Sequence, residues 1–264
     1  MDGYGFRHVA RMEWIKMRSL RSVWWVLAGG MAASVALGVV AGYNTRNAGG
    51  DPTSNVLAGV ALGQVITGVL GVLAMTSEYS SGLIRTTFAA VPRRPLVLAA
   101  KALVFGLTCL VAGEIVTFAS FTGGIAALRP SVPHPVLSEP AVLRAVALTG
   151  AYLALTGLIG LGIGTILRHG AAAAGVLVGG LYVLPIITGA ASHKVGLFMP
   201  ILIVGNSLAA VKPVPGFTWS PWLELGIVAA YPLVLLAAGG WLLARRDALE
   251  HAFDKRTGFR QCWS

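Results

Sequence analysis

The stretch VLRAVALTGAYLALTGLIGLGIGTILRHGAAAAGVLVGGLYVLPIITGA, residues 142–190, holds two apolar runs parted only by Arg168, His169 and Gly170. At about 1.5 Å of rise per helical residue, each run, 142–167 and 171–190, is long enough to cross a hydrocarbon core of about 30 Å. A break of three residues allows only a tight turn, so the two runs are read as an antiparallel pair of membrane helices.

Working outward, the same reading recurs along the chain, with further spans expected at 23–42, 56–76, 96–128 and 222–243. The run 96–128 is too long for one straight crossing and is expected to tilt or to extend beyond the membrane. Prolines 130, 133, 135 and 140 mark a loop before the fourth span, because proline blocks a helix interior. Composition agrees with this reading. Of 264 residues, 56% are hydrophobic and only 11% charged, against about 25% charged in soluble domains. A soluble enzyme, a nucleic-acid binder and a disordered chain are thereby excluded. The fold class expected is an all-α integral membrane protein with six transmembrane helices.

The net charge of +10 takes its meaning from where the basic residues stand. With the N-terminus inside, 15 of the 20 lysines and arginines fall in inner segments and 5 in outer ones. That bias gives an N-in, C-in arrangement in a cytoplasmic membrane and no role for nucleic acid. Cys109 lies within an apolar run and Cys262 in the tail, so no intrachain disulfide is expected.

Residues 1–22 are read as an interfacial helix. On a helical wheel Arg7, Arg11, Arg18 and Arg21 gather around Trp14, while Phe6, Val9, Ala10, Met17 and Leu20 share another face, interrupted by Glu13. The arginines would meet anionic headgroups while the apolar face sinks beside the bundle; an ordinary basic flank to the first span is the plainer alternative. Near the other end, 195–211 is apolar but carries Pro200, Gly205 and Asn206, and a full crossing would put the basic tail outside. It is read as a re-entrant or interfacial segment of the outer leaflet. Four pairs at helical spacing, Gly38 with Gly42, Gly59 with Gly63, Gly160 with Gly164 and Gly175 with Gly179, are read as sites of close helix packing.

None of the five lysines closes a phosphate-binding loop, and no HExxH helix, paired metal-ligand cysteines or nucleophile elbow is present. The chain has no ATP site of that kind and no catalytic constellation. The inner segment between the second and third spans, 77–95, is more informative. It reads EYSSGLIRTTFAAVPRR from Glu78 to Arg94, a helix-compatible stretch closed by Pro92, with an apolar side at Leu83, Ile84 and Phe88.

In that segment the chain resembles the permease subunits of ABC-2 type ATP-binding cassette transporters, whose loop here carries an acidic-aromatic pair, a Gly, an Arg-Thr-Thr run and a Pro-Arg-Arg close. The start EWIKMRSLRSVWW, 13–25, is similar to the family's N-terminal elbow helix. SPW at 220–222 and LLARRDA at 242–248 are similar to the entry and exit of its last span. The resemblance implies one transmembrane domain over 1–264 that works as a homo- or heterodimer with a second permease subunit. It also implies two separately encoded ATPase subunits, which hold the ATP and Mg, so that this chain binds no cofactor itself. The loop residues Glu78, Tyr79, Gly82, Leu83, Ile84, Arg85, Thr86, Thr87, Phe88, Pro92, Arg93 and Arg94 would then contact the ATPase, against the plainer reading of a positive-inside turn. Export rather than uptake fits the absence of a Glu-Ala-Ala loop.

Within the spans, Glu114 is read as the one acidic side chain near mid-span; it must face protein or a wet cavity. Gln64, Thr67, Thr108 and Thr117 are further interior polar candidates, each open to a packing role. The rival function is an ATP-independent secondary transporter or channel using Glu114, which would require two matching halves that the sequence does not display. Drug, peptide antibiotic, lipid and glycolipid substrates are all compatible with these residues.

The charge asymmetry makes a direct expectation. Reporters fused at Arg46, Ser138 and Ser192 should read outside, and those at Arg94, His169 and the C-terminus inside; an outside C-terminus would mean that 195–211 crosses fully and that the six-span arrangement is wrong.

Overall fold

The computed structural model describes residues 5–45, 51–91, 93–191, 198–208, 210 and 219–257, and the regular structure among them is helical. α1 (Phe6–Ser19) is joined by Leu20 to α2 (Arg21–Asn44), and a short α3 (Pro52–Val56) precedes α4 (Val60–Ser80). After α5 (Leu83–Ala90) come the long α6 (Arg94–Ala126) and α7 (Pro140–Leu167). The chain then makes α8 (Gly170–Val178), a π turn (Gly179–Val183) and α9 (Leu184–Ala191) as one continuous run, followed by α10 (Pro200–Ser207) and α11 (Pro221–Thr257). Six helices, α2, α4, α6, α7, the α8–α9 run and α11 up to Arg245, are long and apolar enough to cross a membrane, so the chain is a multi-pass membrane protein.

Local chemistry moves several boundaries from those expected. The second span begins at Val60, not at residue 56, because Asp51 accepts a hydrogen bond from the Thr53 N–H (2.9 Å) and Pro52 opens a separate turn of helix. Val56 and Leu57 are fully buried with Phe121, Leu128, Val132, Val142 and Val146, closing one end of the bundle. Pro140 starts α7 instead of belonging to the preceding loop. The third span is a single helix of 33 residues, about 50 Å long at 1.5 Å per residue, so it runs past a hydrocarbon core. The widened π turn stands directly before Pro185, whose ring would clash with a carbonyl of a regular α turn. The expected tail, 244–264, continues as helix through Thr257, in keeping with its Ala, Arg, Leu and Glu content.

α7 is the central post, the most buried of the six spans, and it packs along α4. Their backbones approach so closely that a Cβ at Gly71 would lie 2.0 Å from the Gly157 carbonyl oxygen, and one at Gly160 2.0 Å from that of Gly68. Of the four glycine pairs singled out, Gly38 and Gly42 seat α2 against Ser120 and Gly124 of α6, while Gly59 and Gly63 meet Ser34 and Leu153. Gly160 and Gly164 meet α4, whereas Gly175 and Gly179 have nothing within 4 Å and make no such contact.

The contacts fix which helix ends lie together. At one end α5 sets Ile84 among Met75, Leu98, Leu161 and Leu243, and α1 sets Val9 among Val91, Val97 and Ala100. At the opposite end α10 sets Ile203 and Val204 among Val60, Leu148, Tyr152, Leu153 and Val228. With 8 residues, α10 is about 12 Å long and cannot cross a membrane. Asn206 of α10 donates to the fully buried Glu224 of α11 at 2.5 Å.

Candidate functional site

At the α5 end, α1 lies on the bundle through Val9, with Ala10, Met12 and Met17 partly buried against it. Arg7, Arg11, Trp14, Arg18 and Arg21 are exposed, as the expected charged stripe requires, but so are Phe6 and Leu20 from the expected apolar face. The buried stripe is Val9 and Glu13, flanked by Lys16 and Met17. Glu13, which was expected to interrupt the buried face, stands at its centre.

The reason is a cation arriving from α6. Lys101, two turns into that helix, is 7% exposed and donates to Glu13 Oε2 at 2.5 Å and to Glu78 Oε1 at 2.9 Å. Lys16 of α1 donates to Glu13 Oε1 at 3.1 Å, Glu78 Oε1 at 3.3 Å and Thr87 Oγ1 of α5 at 2.9 Å. Two carboxylates and two ammoniums thus cancel in charge where α1, α4, α5 and α6 converge. Lys16 spends all three of its N–H donors on partners from three helices. Isolated charges so placed would be strongly unfavourable, and the mutual pairing is what makes their burial tolerable.

α5 has two working faces. A left-handed Gly82 (φ 73°) turns the chain out of α4; a side chain would be strained there, and glycine is not. Thr87 faces the ion cluster, accepting from Lys16 while its hydroxyl donates to the Leu83 carbonyl at 3.0 Å. Ile84 faces the bundle. Leu83, Arg85 and Thr86 are exposed, as is Arg93 beyond the helix. The Thr86 hydroxyl bonds the Leu83 carbonyl. The Arg94 guanidinium sits 4.5 Å over the Phe88 ring, and that of Arg168 lies 5.0 Å over Tyr79. Pro92 lies outside the described residues.

The expected interior residues do not form one group. Gln64, Thr67 and Thr117 are buried, but the hydroxyls of Thr67, Thr108 and Thr117 bond carbonyls of their own helices. Thr67 lines a small apolar cavity between α2, α4, α6 and α7 that Glu114 does not reach. Glu114 instead lays its carboxyl against Gly150 of α7, in space that a side chain at 150 would occupy.

In the sequence Glu13, Lys16 and Lys101 read only as topology or amphipathicity, and nothing there marks Glu224. A lysine two turns inside an apolar helix, with an acid on the apolar face of the N-terminal helix, is the signal that finds the cluster. No protein-family model matches the chain, and no curated protein does. Beyond its membrane-spanning class, the functional reading rests on these residues.

Breaking the cluster from one side should be costly. Lys101→Met leaves Glu13 and Glu78 buried against a single ammonium and should destabilise the protein by about 3–5 kcal/mol. The triple change Lys101→Met, Glu13→Gln, Glu78→Gln should recover part of that loss. Thermal unfolding in detergent measures both, and a Lys101→Met protein as stable as the original would show that the cluster is not coupled.

Proposed function

We propose that the chain is the permease subunit of an ABC-2 type exporter in a bacterial cytoplasmic membrane. It pairs with a second permease subunit and is driven by two separately encoded ATPase subunits that bind ATP and Mg. The observation that carries this reading is the tethering of α5 by Thr87 and Lys16 to the ion cluster of α1, α4 and α6. A short helix between two spans, anchored on its inner face and presenting Leu83, Arg85 and Thr86 outward, suits a part that takes a push from a bound partner and passes it to the spans.

In this reading α1 is the elbow helix and the α5 end is cytoplasmic. The exposed side of α5 docks on the ATPase, with Arg85, Arg93 and Arg94 supplying charge contacts. Nucleotide-driven movement of the ATPases displaces α5, and the cluster carries the displacement into α4 and α6, biasing a two-state packing of the spans between inward- and outward-open forms. α10 is the re-entrant or interfacial segment on the far side, held by the Asn206–Glu224 contact. The packing of Glu114 on Gly150 favours a scaffold role for that carboxyl over the proton-coupled site of the rival carrier or channel reading.

The double substitution Arg85→Glu, Arg94→Glu should reduce recovery of the cognate ATPase on co-purification, or uncouple its hydrolysis from export, while the protein still inserts and folds. Glu114→Gln should leave export intact. Undiminished transport-linked ATPase activity in the double variant would remove α5 from the coupling role. Loss of transport in Glu114→Gln without loss of stability would favour the rival carrier.

A further inference from the structure

The face of α5 turned away from the ion cluster borders a cleft of about 920 Å3. Its lining includes Tyr79, Ser81, Arg85, Phe88, Arg94 and Arg168, contributed by the end of α4, by α5, by the start of α6 and by the α7–α8 turn. Three of these side chains are guanidiniums, and no carboxylate is among the described residues of the lining. Arg168 is built into the site. It is the single described non-glycine residue with a positive φ (59°), closing α7 in the left-handed region, and its guanidinium is seated over Tyr79. Its Nε is buried yet has no hydrogen-bond partner, and an unspent donor of that kind, beside two more cations, calls for an acceptor.

The level of the cleft says which acceptor. Arg94 is the first residue of α6 and Arg168 the residue after the last of α7, so two of the guanidiniums stand at the ends of spans. The aromatic anchors of the same end, the exposed Trp24 and Trp25 on α2 and Trp241 under Arg245 at 4.1 Å, mark that level as the polar interface. Leu167, beside Arg168, and Leu83, at the start of α5, are exposed. A group that puts negative oxygens among arginines and leaves an apolar portion against such leucines is an anionic lipid, whose headgroup sits at this depth.

We infer that the cleft between α5 and the α7–α8 turn is a binding site for the phosphate of an anionic membrane phospholipid, held by Arg168 and Arg85 with Arg94 alongside. The inference needs only that the chain spans a membrane; Arg85 and Arg94 are shared with the contacts proposed above for the ATPase, and Arg168 belongs to the lipid site alone. A lipid so placed would wedge between α5 and the helix ends and set how far α5 stands off the bundle.

The test uses the full chain purified in detergent and supplied with phosphatidylglycerol or phosphatidylcholine, with retained lipid counted by native mass spectrometry. The original protein should retain phosphatidylglycerol in preference by roughly tenfold, the scale of one charge-assisted contact. Arg168→Asn removes the guanidinium while tolerating the positive φ, and should bring the two lipids close to parity. Arg85→Gln, at an exposed position, should lower the preference without any backbone demand, and Arg168→Lys should restore part of it. Equal retention of both lipids by the original protein, or an undiminished preference in Arg168→Asn and Arg85→Gln, overturns the inference. Inorganic phosphate that displaces phosphatidylglycerol and gives the same Arg168-dependent thermal shift would reassign the site to a free anion. An Arg168→Asn protein that keeps the lipid preference but loses the ATPase subunit would make the cleft a protein-docking surface.

Discussion

The structure depends on the pairing of Glu13 and Glu78 with Lys16 and Lys101. Each charge comes from an element with its own reason to be elsewhere: α1 could float in the interface, α5 could hang as a loop, and α6 could start above the membrane. Lys101 reaches both carboxylates within 2.9 Å, and Lys16 adds α5 through Thr87. Because removing Lys101 or either carboxylate strands a buried partner, α1, α5 and the adjoining ends of α4 and α6 are held in one arrangement.

That block sits on a frame of a different kind. Between helices in lipid there is little hydrophobic driving force, so close packing supplies the cohesion. Gly68 and Gly71 of α4 against Gly160 and Gly157 of α7 bring two backbones into contact at the centre of the bundle. α2, the α8–α9 run and α11 are the least buried spans, and the glycines at 175 and 179 face open space. The tight interior and the loose periphery are the division expected of a protein with a stiff core and outer helices available to lipid.

Much of the architecture is legible in the sequence because it follows from quantities that add along the chain. Apolar length marks the six spans, and Arg168, His169 and Gly170 mark the turn between two of them. The short helix between the second and third spans follows from the helix-compatible residues before Pro92. What resists reading is anything that depends on which helices meet. Lys101 counts as one more inside charge until α1 is seen to lie beside it, and Glu13 looks like a blemish on an apolar face until that face is seen to meet a lysine. Asn206 and Glu224 are far enough apart in sequence that only the docking of α10 on α11 joins them. Glu114, the conspicuous acid, is only partly buried, whereas Glu78 and Glu224 are buried.

The central claim is that the ion cluster locks α5 to α1, and spin labels at the exposed Ile15 and Leu83 report on it directly, in a protein with Cys109 and Cys262 replaced. Pulsed electron resonance should give one narrow distance distribution in the original sequence. With Lys16→Met, which removes the contact from α1 to Thr87 of α5, the distribution should broaden or split as α1 and α5 come free of one another. A distribution equally narrow and unmoved in Lys16→Met would show that packing alone holds the two helices, and that the ion cluster does not lock them.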